Sequence, residues 1–368
     1  MNRAAVVILS LLAFSGFSAG ANAQIRVAVA GPMTGSLAVL GQQIRDGVAA
    51  AIASFNAAGG LFNQELVLEI VDDSCSQDRA GAIANQLAGA GVSLVVGHLC
   101  SAASIAAAEV YAAEGIIQIA PGAPDPRFTD LRPGDGVFRI FGREDDQGPT
   151  VAAFLLAMPD GVPIAILDDL SVYGGRLADS VVDTMTEAGR PPALVESYSG
   201  ATPDFAALVD RLEAAGIGAV FIGGAAGGVA DLRLEMRRRE LRPIFVGGDA
   251  LASPDYLDAA GDAADGTLFS AATDPRLDPH SQAATDAIFA NGGDPGMFGL
   301  YAFAAVEVWV AAATQAGTTE FAAVAASIAN GPFDTAIGDV SFSPTGDLIM
   351  PGWAIYQWQD GIYTVYTP

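Results

Sequence analysis

Short runs of continuous apolar residues alternate with longer stretches in which apolar positions recur every three or four residues, from Ile25 nearly to the end of the chain. The continuous runs read as strands buried on both faces, and the periodic stretches as helices with one apolar side. The pattern predicts a strand over 25–30, a helix over 42–58 stopped by Gly59-Gly60, a strand over 66–71 and a helix over 78–90. A strand over 92–96, a helix over 101–113 and a strand over 116–119 follow. A second series has helices over 147–157, 174–188, 204–215 and 227–239, with strands over 163–167, 194–198, 219–222, 243–246 and near 268–271. Late helices at about 298–316 and 320–329 precede strand-like segments at 340–342 and 353–358. Such alternation means an α/β fold with parallel sheets covered on both faces. The ligand crevice of such a sheet lies beyond the carboxyl ends of its strands. The loops 31–41, 72–77, 97–101 and 120–128 fall at that edge. The polar run Gly142-Arg-Glu-Asp-Asp-Gln-Gly148 reads as a crossing between two lobes. The tail is expected to join existing sheets, and no repeat of fixed period is visible.

Ahead of this alternation stands an address label. Arg3 supplies a positive start, residues 4–17 an apolar stretch, and Ala21-Asn-Ala23 a small-residue cleavage site. This predicts an exported, soluble chain that begins at Gln24 after cleavage at Ala23. On this reading no other run is long and apolar enough to span a bilayer.

Composition narrows the chemistry. The 368 residues include 42 acidic and 17 basic ones, for a formal net charge of −25, and every basic residue is Arg. An anionic surface argues against nucleic acid or acidic membranes as partners, because phosphate binding needs clustered cations. Without Lys there is no Schiff-base lysine, P-loop lysine or Ser–Lys pair. Only His98 and His280 exist, which excludes a multi-histidine metal site. His98 beside Ser101, with Asp168 and Asp169 after a strand, allows a hydrolase triad to be imagined. No G-x-S-x-G elbow is present, and Gly223-Gly-Ala-Ala-Gly-Gly228 lacks the G-x-G-x-x-G spacing. The expectation is a protein that is not an enzyme and has no cofactor and no metal.

Cys75 and Cys100 are the only cysteines. In an exported chain a disulfide is the default, with a reactive thiol or metal pair as the alternative. Each follows a predicted strand, and adjacent strand ends would bring them together. The bridge would pin the loop carrying Ser101 and stabilise by roughly 3 kcal/mol in the chain-entropy model. Ser101 itself follows the apolar run Leu94-Val-Val-Gly97 and opens an alanine-rich helix. A serine there is expected to cap the helix, and a helix start with free N–H groups favours anions such as a carboxylate.

Gly97-His-Leu-Cys-Ser101, Asp72-Asp-Ser-Cys75, Asp146-Gln-Gly-Pro149, Tyr173-Gly-Gly-Arg-Leu-Ala178 and Ser343-Pro-Thr-Gly-Asp347 together resemble the periplasmic leucine/isoleucine/valine-binding proteins. The likeness covers essentially the whole mature chain. These are type I solute-binding proteins of ABC importers. The resemblance implies two doubly wound parallel-sheet lobes, joined by three crossing segments and closing on a solute. It places lobe one at 24–143 plus 273–353, and lobe two at 144–272 plus 354–368. It further implies an apolar α-amino acid ligand, permease subunits as partners, a periplasmic location and a monomer.

The resemblance also assigns residues. Ser101 would grip the ligand's carboxylate, and the loop with Gly122, Ala123 and Pro124 would hold carboxylate and ammonium through its backbone. Asp249 stands where the family has a glutamate that pairs with the ammonium, and Tyr173 and Phe298 match aromatic residues that close over the ligand. Taken singly, Tyr173 could be packing, Phe298 core and Asp249 a turn residue. Besides Asp249, one methylene shorter than glutamate, three positions depart from the family: Pro124 replaces a threonine, and Leu40 and Ala225 replace tyrosines of the side-chain pocket. The pocket should therefore be roomier and more apolar. Two further readings share the fold: a site for an aromatic or aliphatic carboxylate without an amine, and a ligand-sensing subunit of a receptor.

Overall fold

In the computed structural model, residues 24–35, 37–198, 205–350 and 352–367 are described; the leader falls outside them. The first half forms a five-stranded sheet. Its strands are β1 (Ile25–Gly31), β2 (Leu66–Asp72), β3 (Leu94–Gly97), β4 (Ile117–Ala120) and β5 (Val137–Arg139), all parallel, in the order β2-β1-β3-β4-β5. Helices α1 (Ala38–Ala57), α2 (Gln77–Ala90), α3 (Ser101–Glu114) and the short α4 (Arg127–Asp130) connect them.

The strands are apolar throughout because both faces are covered. Val27 and Val29 of β1 join one core with Ile44 and Val48 of α1, whereas Ala28 and Ala30 join another with Ala84 of α2 and Ala107 of α3. This is the period-two alternation of a strand set between two helical layers.

The chain then enters a second sheet through α5 (Gln147–Leu156). The strands β6 (Ile164–Asp168), β7 (Leu194–Ser197), β8 (Ala219–Gly223), β9 (Ile244–Gly247) and β10 (Leu268–Ala272) alternate with α6 (Val172–Glu187), α7 (Phe205–Ala214), α8 (Ala226–Arg238) and α9 (Pro254–Ala260). Their order, β7-β6-β8-β9-β10, is the same winding as in the first sheet. Ile166 and Phe221 face α5 and α6, while Leu167 and Ile222 face α7 and α8.

The chain returns to the first core with α10 (Gln282–Ala290), α11 (Gly296–Ala316) and α12 (Phe321–Ala329), followed by the hairpin of β11 (Phe333–Thr335) and β12 (Gly338–Val340). It crosses a last time into β13 (Trp353–Gln359), which pairs antiparallel with β10, and β14 (Ile362–Val365), which pairs with β13. The tail thus extends the second sheet, as its short strand-like pattern predicts.

Three expectations need correction. Helix α11, with 21 residues and a mean hydropathy of 1.6 over its most apolar stretch, is long and apolar enough to cross a membrane. The sequence reading finds no such run. Its residues Leu300, Trp309 and Ala313 are fully or almost fully buried in the first core, so its apolar character serves packing.

Cys75 and Cys100 are bonded, with Cα atoms 5.4 Å apart, but β2 and β3 are not neighbours. They flank β1, and the disulfide reaches across its carboxyl end. Finally, Ser101 is not the cap of α3. Cys100 takes that position and its carbonyl accepts from the Ser104 N–H at 2.9 Å. The helix begins one residue earlier than a serine cap requires, which leaves the Ser101 hydroxyl for another partner.

Candidate functional site

Between the carboxyl edges of the two sheets lies a cavity of about 730 Å³. Phe141, Phe298 and Met297 line it from the first core's side, and Gln147, Tyr173, Leu177 and Asp249 from the second sheet's side. Pro124 and Trp353 complete the wall near the crossings. Its surface is mostly aromatic and aliphatic, with a few polar groups, as small-molecule sites are.

Asp249 is the first residue after β9 and Gly248, and it remains exposed. Its Oδ1 accepts from the Tyr173 hydroxyl and, at 3.0 Å, from Gln147 Nε2. Gln147 is buried at the start of α5 and also donates to Ser270 Oγ at 3.1 Å. Oδ2 of Asp249 has no donor among the described residues. Enclosure in the cleft, and then the adjoining Asp249 carboxylate, hold the Tyr173 phenol well above its usual range, so it stays a donor.

Two glycines permit this geometry. A Cβ at Gly248 would stand 2.1 Å from the Tyr173 hydroxyl oxygen, and one at Gly174 would stand 2.6 Å from the Gly223 carbonyl oxygen. Ser171 caps α6 by accepting from the Gly174 N–H at 2.9 Å, which sets Tyr173 on the helix's first turn.

Phe298, on the first turn of α11, is half-buried and packs against Phe141 at 5.5 Å between ring centres. Pro124 lies in a loop held by the buried guanidinium of Arg139, which donates to the carbonyls of Ala123 and Asp125, each at 2.8 Å. Arg139 is anchored in turn on Asp347 and Thr129. The Ala123 N–H donates to the Leu99 carbonyl at 2.7 Å, and the Pro124 carbonyl accepts from the Glu144 N–H at 2.9 Å. Several backbone groups of this loop thus have partners inside the protein. Ser101 Oγ accepts from the Asp125 N–H at 3.2 Å and so braces the same loop.

Of the residues singled out in the sequence, Pro124, Tyr173, Asp249 and Phe298 share the cavity wall. Leu40 packs on the first core, Gly122 and Ala123 are buried behind Pro124, and Ser101 stands behind Asp125. Ala225 is exposed at the start of α8, with its N–H on Asp169 at 2.9 Å. His98 is fully buried between Asp73, at 2.6 Å, and the Tyr111 hydroxyl, at 3.2 Å; the Ser104 hydroxyl donates to its carbonyl at 3.0 Å. Sequence reasoning missed Gln147, Phe141 and Arg176 as cavity residues. Only the spacing of Arg176, three after Tyr173 on one helical face, could have revealed it.

Comparison with known proteins follows the same lines. A family model described as periplasmic binding protein matches residues 24–362. A protein of Brucella suis, named Leu/Ile/Val-binding protein homolog 1, is 34% identical over 357 residues, covering 97% of this chain and 95% of its own. An amino acid binding protein of Pseudomonas aeruginosa is 32% identical over 361 residues, covering 97% and 96%. The solved structure of an ABC transporter substrate-binding protein from Desulfitobacterium hafniense, in complex with Leu, superposes with a TM-score of 0.72 at 24% identity. It covers 94% of this chain and all of that one, and it supports the fold.

Proposed function

Because the chain belongs to the periplasmic binding protein family, we propose that it captures an apolar α-amino acid between two closing lobes and hands it to an ABC importer. The observation that carries this reading is Asp249. A carboxylate oriented by a phenol and an amide, with a second oxygen still without a donor, stands in a mostly apolar cleft. That is what an ammonium group attached to an apolar body needs. The names of the Brucella and Pseudomonas relatives support the same ligand class.

In this reading the ammonium binds Asp249, and Tyr173 and Phe298 cover the side chain. The carboxylate faces the first lobe, where Pro124 lines the cavity on the loop it shares with Gly122 and Ala123, and Ser101 braces that loop through the Asp125 N–H. Leu40 and Ala225 do not reach the cavity wall, and the space that aromatic residues would take there is left to side chains as large as phenylalanine. The lobes divide at 143, 273 and 353. The leader is removed after Ala23, and the mature protein works as a monomer in the periplasm, docking on permease subunits.

A thermal-shift screen of the mature protein against amino acids and their des-amino analogues tests this. A ligand at 100 times its Kd raises stability by about 2.7 kcal/mol, a readily measured shift. Leucine or phenylalanine should give it, and Asp249→Ala should weaken that amino acid by roughly 2 kcal/mol while leaving 4-methylpentanoate untouched. Tighter wild-type binding of 4-methylpentanoate than of leucine would replace the amino-acid reading with that of an amine-free carboxylate.

A further inference from the structure

The chain has few cations, and nearly all described ones are engaged. Among the described arginines only Arg176 and Arg242 have no hydrogen bond or ion pair with a described residue. Arg242 lies on the far side of the second lobe, in a shallow hollow near Leu212 and Met236. Arg176 lines the interlobe cavity and is exposed.

It stands three residues after Tyr173 on α6, and therefore on the same helical face as the phenol that donates to Asp249. Arg176 and Asp249 line one cavity with opposite charges, yet no ion pair joins them. Glu144 and Asp145 also line it, but Asp145 is taken by Arg143 and neither is paired with Arg176. A carboxylate and a guanidinium left apart in one cleft match a ligand that carries an ammonium and a carboxylate on one carbon.

We propose that Arg176 binds the ligand's carboxylate from the second lobe, so that this lobe carries both poles of zwitterion recognition. The inference rests on the amino-acid reading and deepens it. The carboxylate meets the first lobe at its rim and the Arg176 guanidinium on the other side. A planar guanidinium can offer two parallel N–H donors to the two carboxylate oxygens. Each lobe then holds the same small anion, and ligand binding favours the closed arrangement.

Titration calorimetry with leucine, phenylalanine and leucinamide tests the assignment. Arg176→Ala should weaken leucine about tenfold or more, the scale of a charge-assisted hydrogen bond. Leucinamide, which has no carboxylate, should bind both forms alike. Arg176→Lys should recover part of the loss, and Arg242→Ala should bind leucine as the wild type does. Equal leucine affinity in wild type and Arg176→Ala overturns the assignment alone. A wild type that binds neither leucine nor phenylalanine overturns the amino-acid reading, and the assignment with it.

Discussion

A carboxylate has about four lone-pair sites, and Asp249 uses only Oδ1 for Tyr173 and Gln147. Its place at the sheet's carboxyl edge was legible in the chain because it follows a strand and Gly247-Gly248, whereas the role proposed for it came from the family resemblance. The two donors that orient it were not legible, since Gln147 comes from a helix about a hundred residues earlier. Leu40 and Ala225 show the opposite limit: motif register named them, but only packing decides which wall a side chain joins.

Another residue that the pattern hides is Glu307, the one carboxylate within α11. Burial raises its pKa to about 7, although the Ala336 N–H it accepts at 2.7 Å opposes that rise and Asp334 adds to it. The sign follows from proton linkage. The folded state binds this proton more tightly than the unfolded chain, so the stability this group contributes is full below about pH 4.5 and is lost as pH rises through about 7. Above about pH 7 the loss is complete. Glu307→Gln keeps an acceptor for Ala336 and should raise Tm by roughly 5 °C at pH 8, with little change at pH 4. Equal shifts at both pH values would contradict this.

Among the elements, the strands were read most accurately. Strands buried on both faces give continuous apolar runs, and each predicted strand of the two sheets stands within a residue or two of its expected ends, though β5 and β14 were not predicted. Short elements escaped the pattern. β5 has three residues and α9 seven, too few for any period to register. α10 follows a proline-bearing stretch, Pro275 to Pro279, that reads as loop. The error over the cysteines was one of topology, because sequence order does not reveal that β1 sits between β2 and β3. The bridge still joins the loop after β2 to the residue capping α3, and it closes a 25-residue separation. Replacing both cysteines by serine should cost roughly 3 kcal/mol in denaturant unfolding. An unchanged midpoint would show that the bridge contributes nothing to stability.

At the scale of the whole molecule, both sheets wind in the same order, though no sequence repeat announces it. Different residues satisfy the same alternation of buried faces: Val27 and Val29 in one sheet, Ile166 and Phe221 in the other. The chain crosses between the sheets three times, and the crossings are tied together. Arg143 pairs with Asp347, and the Trp353 indole donates to the Arg143 carbonyl. Such a joint lets two rigid bodies turn about a few residues, and a ligand drives that turn only if it binds the closed form better. The proposed recognition groups are split accordingly, with Phe298 on α11 and both Asp249 and Tyr173 on the second sheet's side of the cavity. The most direct measurement is small-angle X-ray scattering of the mature protein, with and without saturating leucine or phenylalanine. A radius of gyration that falls at saturation is the predicted result, and one that stays unchanged while calorimetry shows the site filled would contradict capture by closure.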